Sequence, residues 1–422
     1  MTEVRRLPTA FHVSVGLIVA LLVSAGAHAE TSPVVRASSR NDVIALEALT
    51  TTAATPDERL LAKGVVLVLR HHDEAAVRVL EALVKSHANA EIRAEAMQAL
   101  SSAYMLLGRY DDTYRAISGA KALRKDPLPN SLAQTMDLMQ SLAGEKPMTI
   151  AKRTTGQVPV KRDLAGLMRI PVAVNGTASD AVFDSGAGMS TVSESAALRL
   201  GIRGLPRATV VASSSKDALP AKVGIAGRLQ IGDAVLYNVV FFVLPDSQLT
   251  FANGAYKIDV IIGLPVIDAL RRVELAKEDG KETLHYGHKP DAQALGNMIL
   301  DGAVPIVLAE AAGKAQLRLF LDTGADTTAL NSTVESDYPA LMVGAVPETS
   351  HYAGAGGVIT DAAAKTLPKL HLTIAGRGFD LAKVPMHSKP DEEQHGVIGQ
   401  DILNQGKRWA IDFETMSFTI ED

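Results

Sequence analysis

The sequence predicts a multidomain protein, an N-terminal α-helical repeat domain followed by an all-β region of two related lobes. Three observations predict it. Between residues 57 and 145 apolar residues recur at helical spacing among Ala, Leu, Glu and Arg, without strand signals. From about residue 164 the pattern turns to short alternating or wholly apolar runs separated by Gly, Pro and Asn, the signature of strands. That β region then copies itself. AVFDSGAGMSTV (residues 181 to 192) is matched by LFLDTGADTTALN (residues 319 to 331), and VIIGLPVIDAL (residues 260 to 270) by VIGQDILNQ (residues 397 to 405). The interval from Asp184 to Gly263 is 79 residues and that from Asp322 to Gly399 is 77, too close a match for chance.

The N-terminus has the layout of a secretory signal over residues 1–29. Arg5 and Arg6 precede an apolar run from Phe11 to Val23, and Ala27-His28-Ala29 supplies the small residues a signal peptidase reads. Cleavage is expected after Ala29, which makes the protein periplasmic or secreted; an uncleaved anchor is the alternative. The chain has no cysteine, which excludes disulfides, thiol nucleophiles and Cys-based zinc sites and suits an oxidising compartment. With 47% hydrophobic residues, 21% charged residues and a net charge of −5, it is an ordinary globular chain without a basic block. Neither nucleic acid nor a membrane surface beyond the signal segment is expected as a partner.

Residues 30–56 read as a Ser/Thr/Ala-rich leader with one short helix around Asp42 to Leu49. Within residues 57–145, LRHHDEAAVRVLEAL (69 to 83) aligns with LGRYDDTYRAISGA (107 to 120) at an offset of 38. The second copy resembles a tetratricopeptide repeat, with Leu100, Tyr104, Gly108, Tyr110, Ile117 and Ala120 on that motif's spacing. In the first copy Arg70 takes the place of the turn glycine. Two repeats are too few to bury their own faces, so flanking helices must cap them. The module serves docking or packing, and a protein partner on it is one expectation. Residues 146–163, with Pro147 and Pro159, read as a linker. Lobe 1 is then expected over 164–288 and lobe 2 over 289–422. In lobe 1, Asn175-Gly176 marks a tight hairpin between MRIPVAV and the strand leading to Asp184. In lobe 2 the matching turn is longer, near Ala311 to Lys314.

A strand that ends in Asp-Ser/Thr-Gly delivers a carboxylate to a place where two backbones can approach closely. Two such carboxylates about 3 Å apart cannot both ionise; they share a proton and supply an acid and a base together. Gly186 and Gly324 remove the Cβ that would block the approach, and Ser185 and Thr323 can bond across the pseudo-twofold axis. For either motif alone, an Asp capping its own turn is the competing reading.

The paired motifs resemble those of the aspartic peptidases, specifically the retropepsin-like family, over roughly residues 160 to 422. LFLDTGADTTALN and VIGQDIL are the strongest matches. The first lobe departs from the pattern: Gly188 stands where lobe 2 has Asp326, and Leu264-Pro265 where it has Gln400-Asp401. The resemblance implies an all-β bilobed aspartic-protease-like fold and an aspartic endopeptidase with Asp184 and Asp322 as its dyad, acting on a polypeptide held between the lobes. It implies no metal or organic cofactor. Asp326 would bond the substrate backbone. A glycine-rich flap over HYAGAGGVITD would bring Gly354, Gly356 and Gly357 to the cleft, with Ser214 in its lobe 1 counterpart. Tyr352 is the nearest candidate for a flap tyrosine. A protease-fold scaffold without activity, with its helical module as the interaction surface, is the alternative that the lobe 1 departures leave open. His285 with His288, and His387 with His395, do not have metal-ligand spacing. No G-x-S-x-G elbow and no P-loop lysine is present.

Overall fold

The computed structural model describes residues 13–14, 31–124, 126–151, 154–211, 219–251, 254–289, 296–354 and 357–422. Nearly all of the expected signal segment, together with Ser214 and Gly356, lies outside them. Among the described residues no helix is long and apolar enough to cross a membrane.

Among the described residues seven helices precede the β region: α1 (Pro33–Ser38), α2 (Val43–Thr52), α3 (Pro56–Leu69), α4 (Asp73–Lys85), α5 (Ala90–Leu106), α6 (Tyr110–Leu123) and α7 (Asn130–Ser141). Their starts are chemically marked. Asp42 and Asn89 each accept a backbone N–H of the first turn, and Thr55 and Glu58 form a reciprocal capping box ahead of α3. The repeat is real but its offset is 37, not 38. His72 N–H donates to Leu67 O and Arg109 N–H to Tyr104 O, both at 2.8 Å, closing equivalent turns. The left-handed position therefore falls on Gly108 (φ 68) in the second copy and on His71 (φ 58), not Arg70, in the first. A β-carbon in that region costs about 1–2 kcal/mol. Contacts described below offset it.

The two repeats finish burying their faces on the β region. Ile299, Val304, Ile306 and Phe320 of lobe 2 join the helical core, while Leu138, Met139 and Leu142 of α7 and its end join that of lobe 1. Polar contacts reinforce the joint with lobe 2. The Asn41 amide donates to the buried Asp301 carboxylate at 2.8 Å, and Arg70 donates to the carbonyls of Gly296 and Met298. Of the two expectations for the module, packing is the one its apolar face fulfils.

The β region forms two large sheets, the second of eight strands. Two boundaries need correction. The stretch expected as a linker, 146–163, contains the strands Thr149–Ile150 and Gly156–Arg162; the latter pairs with Lys281–Tyr286 and Met168–Val174. Its alternating burial shows that Pro159 sits on an exposed position, compatible with a strand when its missing N–H faces away from the ladder. The end of the chain also crosses over: Arg408–Asp412 pairs with Arg272–Glu278 of lobe 1. Trp409, Phe413 and Phe418 are buried there, so the apolar content of the final strands is satisfied by the seam rather than by lobe 2 alone.

Each lobe holds the same crossing. In lobe 1, Val260–Ile262 lies between Thr177–Phe183, which it meets in parallel, and Ser190–Ser193, which it meets antiparallel. In lobe 2, Gly396–Ile398 lies likewise between Ala315–Leu321 and Ala329–Asn331. The turns follow the sequence: Asn175 and Gly176 both have positive φ, and the longer lobe 2 turn is a 3-10 segment at Ala312–Lys314.

Candidate active site

The apolar strands Thr177–Phe183 and Ala315–Leu321 end on Asp184 and Asp322, which lie 1% and 2% exposed at the seam between the lobes. Each turn is closed by its own carboxylate: Gly186 N–H donates to Asp184 Oδ1 at 2.8 Å, and Gly324 N–H to Asp322 Oδ1 at 2.7 Å. The hydroxyl residues then cross the axis. Ser185 Oγ donates to Leu321 O and accepts from Thr323 N–H, at 2.7 and 3.0 Å. Thr323 Oγ1 donates to Phe183 O and accepts from Ser185 N–H, at 3.1 and 2.9 Å. Four fully buried bonds therefore tie the two motifs to each other.

Glycine is required where each motif meets the opposite carboxyl. A Cβ on Gly186 would lie 2.3 Å from Asp322 Oδ1, and one on Gly324 would lie 2.8 Å from Asp184 Cγ. The same distances place each carboxyl against the other motif's backbone. Burial raises Asp184 well above the usual carboxylate range, and the Asp322 charge and a hydrogen bond with Asp322 push the same way. Burial also raises Asp322, against the backbone donors Gly324 and Ala325 and the bond with Asp184. Asp184 Oδ2 is buried and receives no hydrogen bond from the described residues. Two ionised carboxylates are acceptors only, so burial of both groups disfavours the doubly ionised form.

The crossing strands brace these turns in matched fashion. Leu264 N–H donates to Ala187 O and Gln400 N–H to Ala325 O, both at 2.8 Å. Gly263 N–H donates to Ser190 Oγ and Gly399 N–H to Thr328 Oγ1, both at 3.1 Å. Lobe 2 carries more. Asp401 accepts the N–H and hydroxyl of Thr328, at 2.9 and 2.6 Å. Gln400 Nε2 donates to Thr323 O at 2.6 Å, and Arg162 of lobe 1 donates to Gln400 Oε1 at 2.9 Å while pairing with Glu282.

The geometry brings together Asp184, Ser185, Gly186, Asp322, Thr323 and Gly324. Asp326 stands close enough for its charge to raise Asp322, and its carbonyl accepts from Asp401 N–H. Gly354 and Gly357 pair with each other at the end of an exposed hairpin, Ser350–Gly354 with Gly357–Asp361. Tyr352 on that hairpin packs its ring 4.4 Å from that of His387. His395 is fully buried between Asp337 and Arg318, and its base is accounted for by those contacts. Sequence reasoning does not reach Arg162, Ser190 or Thr328, and names Gln400 only as a difference between the lobes. For Gln400 a signal existed in the VIGQDIL motif; for Arg162, on an unrecognised strand, none did.

Residues 170–266 match the family model described as aspartyl protease, a span that includes Asp184 and Gly263. The β region consists of two lobes that repeat one strand crossing. A solved structure, a retropepsin-like aspartic protease from Rickettsia conorii, is similar at 15% identity with a TM-score of 0.22, over 33% of this chain and 96% of that one. No curated protein matches the chain. The family match covers the lobe 1 motif with Asp184 and stops short of its lobe 2 counterpart with Asp322.

Proposed function

We propose that the protein is an aspartic endopeptidase that hydrolyses peptide bonds with a water activated between Asp184 and Asp322. The observation that carries this reading is the set of crossed bonds made by Ser185 and Thr323, which tie the two motifs bearing the buried carboxyls to each other and so support a proton shared by the pair. The ionised carboxyl takes a proton from the water as its oxygen attacks the scissile carbonyl carbon; the protonated one gives its proton to the carbonyl oxygen. Collapse of the resulting diol breaks the C–N bond, and the leaving nitrogen takes a proton from the dyad. No metal is needed for either transfer. Asp326 and the glycines of the 350–361 hairpin are assigned to substrate backbone contacts. The substrate is a polypeptide lying between the lobes, in the periplasm or outside the cell, consistent with the signal-like N-terminus and the absence of cysteine.

The test is cleavage of a mixed peptide library, with pepstatin as a probe, by wild type, Asp184→Asn and Asp322→Asn across pH 3 to 8. The reading predicts cleavage by wild type alone, blocked by pepstatin. Equal inertness of all three would overturn it in favour of a scaffold. Because both carboxyls are raised, activity should hold at acid pH and fall as rising pH removes the shared proton.

A further inference from the structure

A cavity of about 490 Å³ lies where the helical module meets the two lobes. One wall is Gly188, Met189 and Ser190, which begins four residues beyond Asp184 on the same loop. Another is helical, with Met105 and Leu142, and Met148 lies on the segment that follows α7. Ala303 of lobe 2 reaches it as well. Its size is that of a site for a small ligand or a few side chains.

Three facts single it out from the rest of the seam. Four residues of extended chain span at most about 14 Å, so this wall lies within reach of a polypeptide centred on the dyad. The lobes differ at the matched positions: Gly188, Leu264 and Pro265 replace Asp326, Gln400 and Asp401, so the polar network that braces lobe 2 is absent here. The apolar side of the lining is adaptable, since the partly buried Met105, Met148 and Met189 lie on it beside the branched Val239, Val240 and Val266, while His71, Asp73, Asp268 and Arg271 form a charged side.

We infer that this cavity is a substrate subsite to which the helical module supplies one wall, and that it takes a large apolar side chain of the polypeptide on one side of the scissile bond. It rests on the peptidase reading. In it the module is more than a brace: it sets specificity on the lobe 1 side, while the lobe 2 side keeps polar groups for substrate backbone. Neither Met105 nor Met148 takes part in the hydrogen bonds that hold the dyad.

The experiment fills the cavity. Met105→Trp and Met148→Trp are compared with wild type on short peptides in which each position is varied among Leu, Met, Phe and Ala. Cleavage is read as kcat/KM, and binding is read in the same proteins carrying Asp322→Asn. A hydrophobic subsite discriminates by about 10–200-fold. Filling it should abolish the preference for Leu, Met or Phe over Ala at one position on one side of the bond, leaving Ala peptides unchanged. An unaltered preference, or an equal loss for every peptide, would overturn the subsite. Should wild type cleave nothing, the peptidase reading fails by itself. Loss of apolar preference in the binding arm would then still uphold the subsite, and its persistence in the filled variants would overturn it.

Discussion

Lobes 1 and 2 present the same strand, turn and crossing, yet they brace the turn with different chemistry. Behind Asp184 lie Gly188, Leu264 and Pro265, and the loop is held by main-chain bonds and the Ser190 hydroxyl. Behind Asp322 lie Asp326, Gln400 and Asp401, with Arg162 reaching across from lobe 1 to complete the network. What the copies share is what sits on the axis: carboxylate, hydroxyl and glycine. What they have lost in common lies off it. A duplicated site can therefore diverge wherever its two halves face different neighbours, and lobe 1 faces the helical module at this cavity.

The strongest way to break the comparison is to make the axis unequal. Asp184→Asn and Asp322→Asn should each lower kcat/KM by about 10³-fold or more, since each removes both the acid and the base of a shared pair. A much smaller loss in one would show that the halves are not equivalent. Next come the crossed hydroxyls. Ser185→Ala and Thr323→Val each strand one buried N–H and one buried carbonyl of the opposite lobe, which costs about 2–4 kcal/mol. Urea denaturation should show the two losses to be similar; a one-sided result would mean that a single lobe supports the grip.

The helical module attaches to the lobes through different charges, and pH separates them. On lobe 1, His71 bonds Asp73 and Asp268 at 2.9 and 3.1 Å. Burial pushes the imidazole down, but the bonds and charges of Asp268 and Asp73 more than reverse it, to about 10. A raised base stabilises below its unfolded value, about 6.5, and loses that contribution as pH climbs to about 10. On lobe 2, burial raises Asp301 to about 6 against the Asn41 amide. Protonation is favoured in the fold, so stability is lost as pH rises from about 4 to about 6. His395 opposes this: burial holds it down at about 4, so its contribution is lost as pH falls from about 6.5. Asp301→Asn should therefore gain up to about 3 kcal/mol at pH 7 and little at pH 4. His71→Asn, which keeps a residue tolerant of positive φ, should flatten the decline in melting temperature between pH 7 and 10. An unchanged alkaline slope would refute the ion triplet.

The smallest effect is expected where lobe 2 is made to resemble lobe 1. Gln400→Leu removes one bond to Thr323 O and leaves Arg162 with Glu282, costing about 1–2 kcal/mol and a few-fold in kcat/KM. No change in either would show the network to be passive.

The axis of the site was legible because its chemistry is local: a strand, a carboxylate, a hydroxyl and a glycine within a few residues, written twice. The helices were legible from period and caps, and the Asn175-Gly176 turn from its dipeptide. What could not be read is what depends on distant partners. Arg408–Asp412 carries strand composition, but nothing in it names Arg272–Glu278 as its neighbour. Pro159 argued for a linker because its exposure on an alternating strand is a tertiary fact. The turn in the first repeat lies one residue later than the spacing predicts, because a histidine held by two carboxylates takes the left-handed position that glycine takes in the second.

The central claim is that one chain supplies both carboxyls to one site. Mixing purified Asp184→Asn with Asp322→Asn tests it most directly. Pairing within the chain predicts that the mixture remains as inactive as either variant alone. Recovery of peptide cleavage on mixing, to a sizeable fraction of wild type, would contradict it.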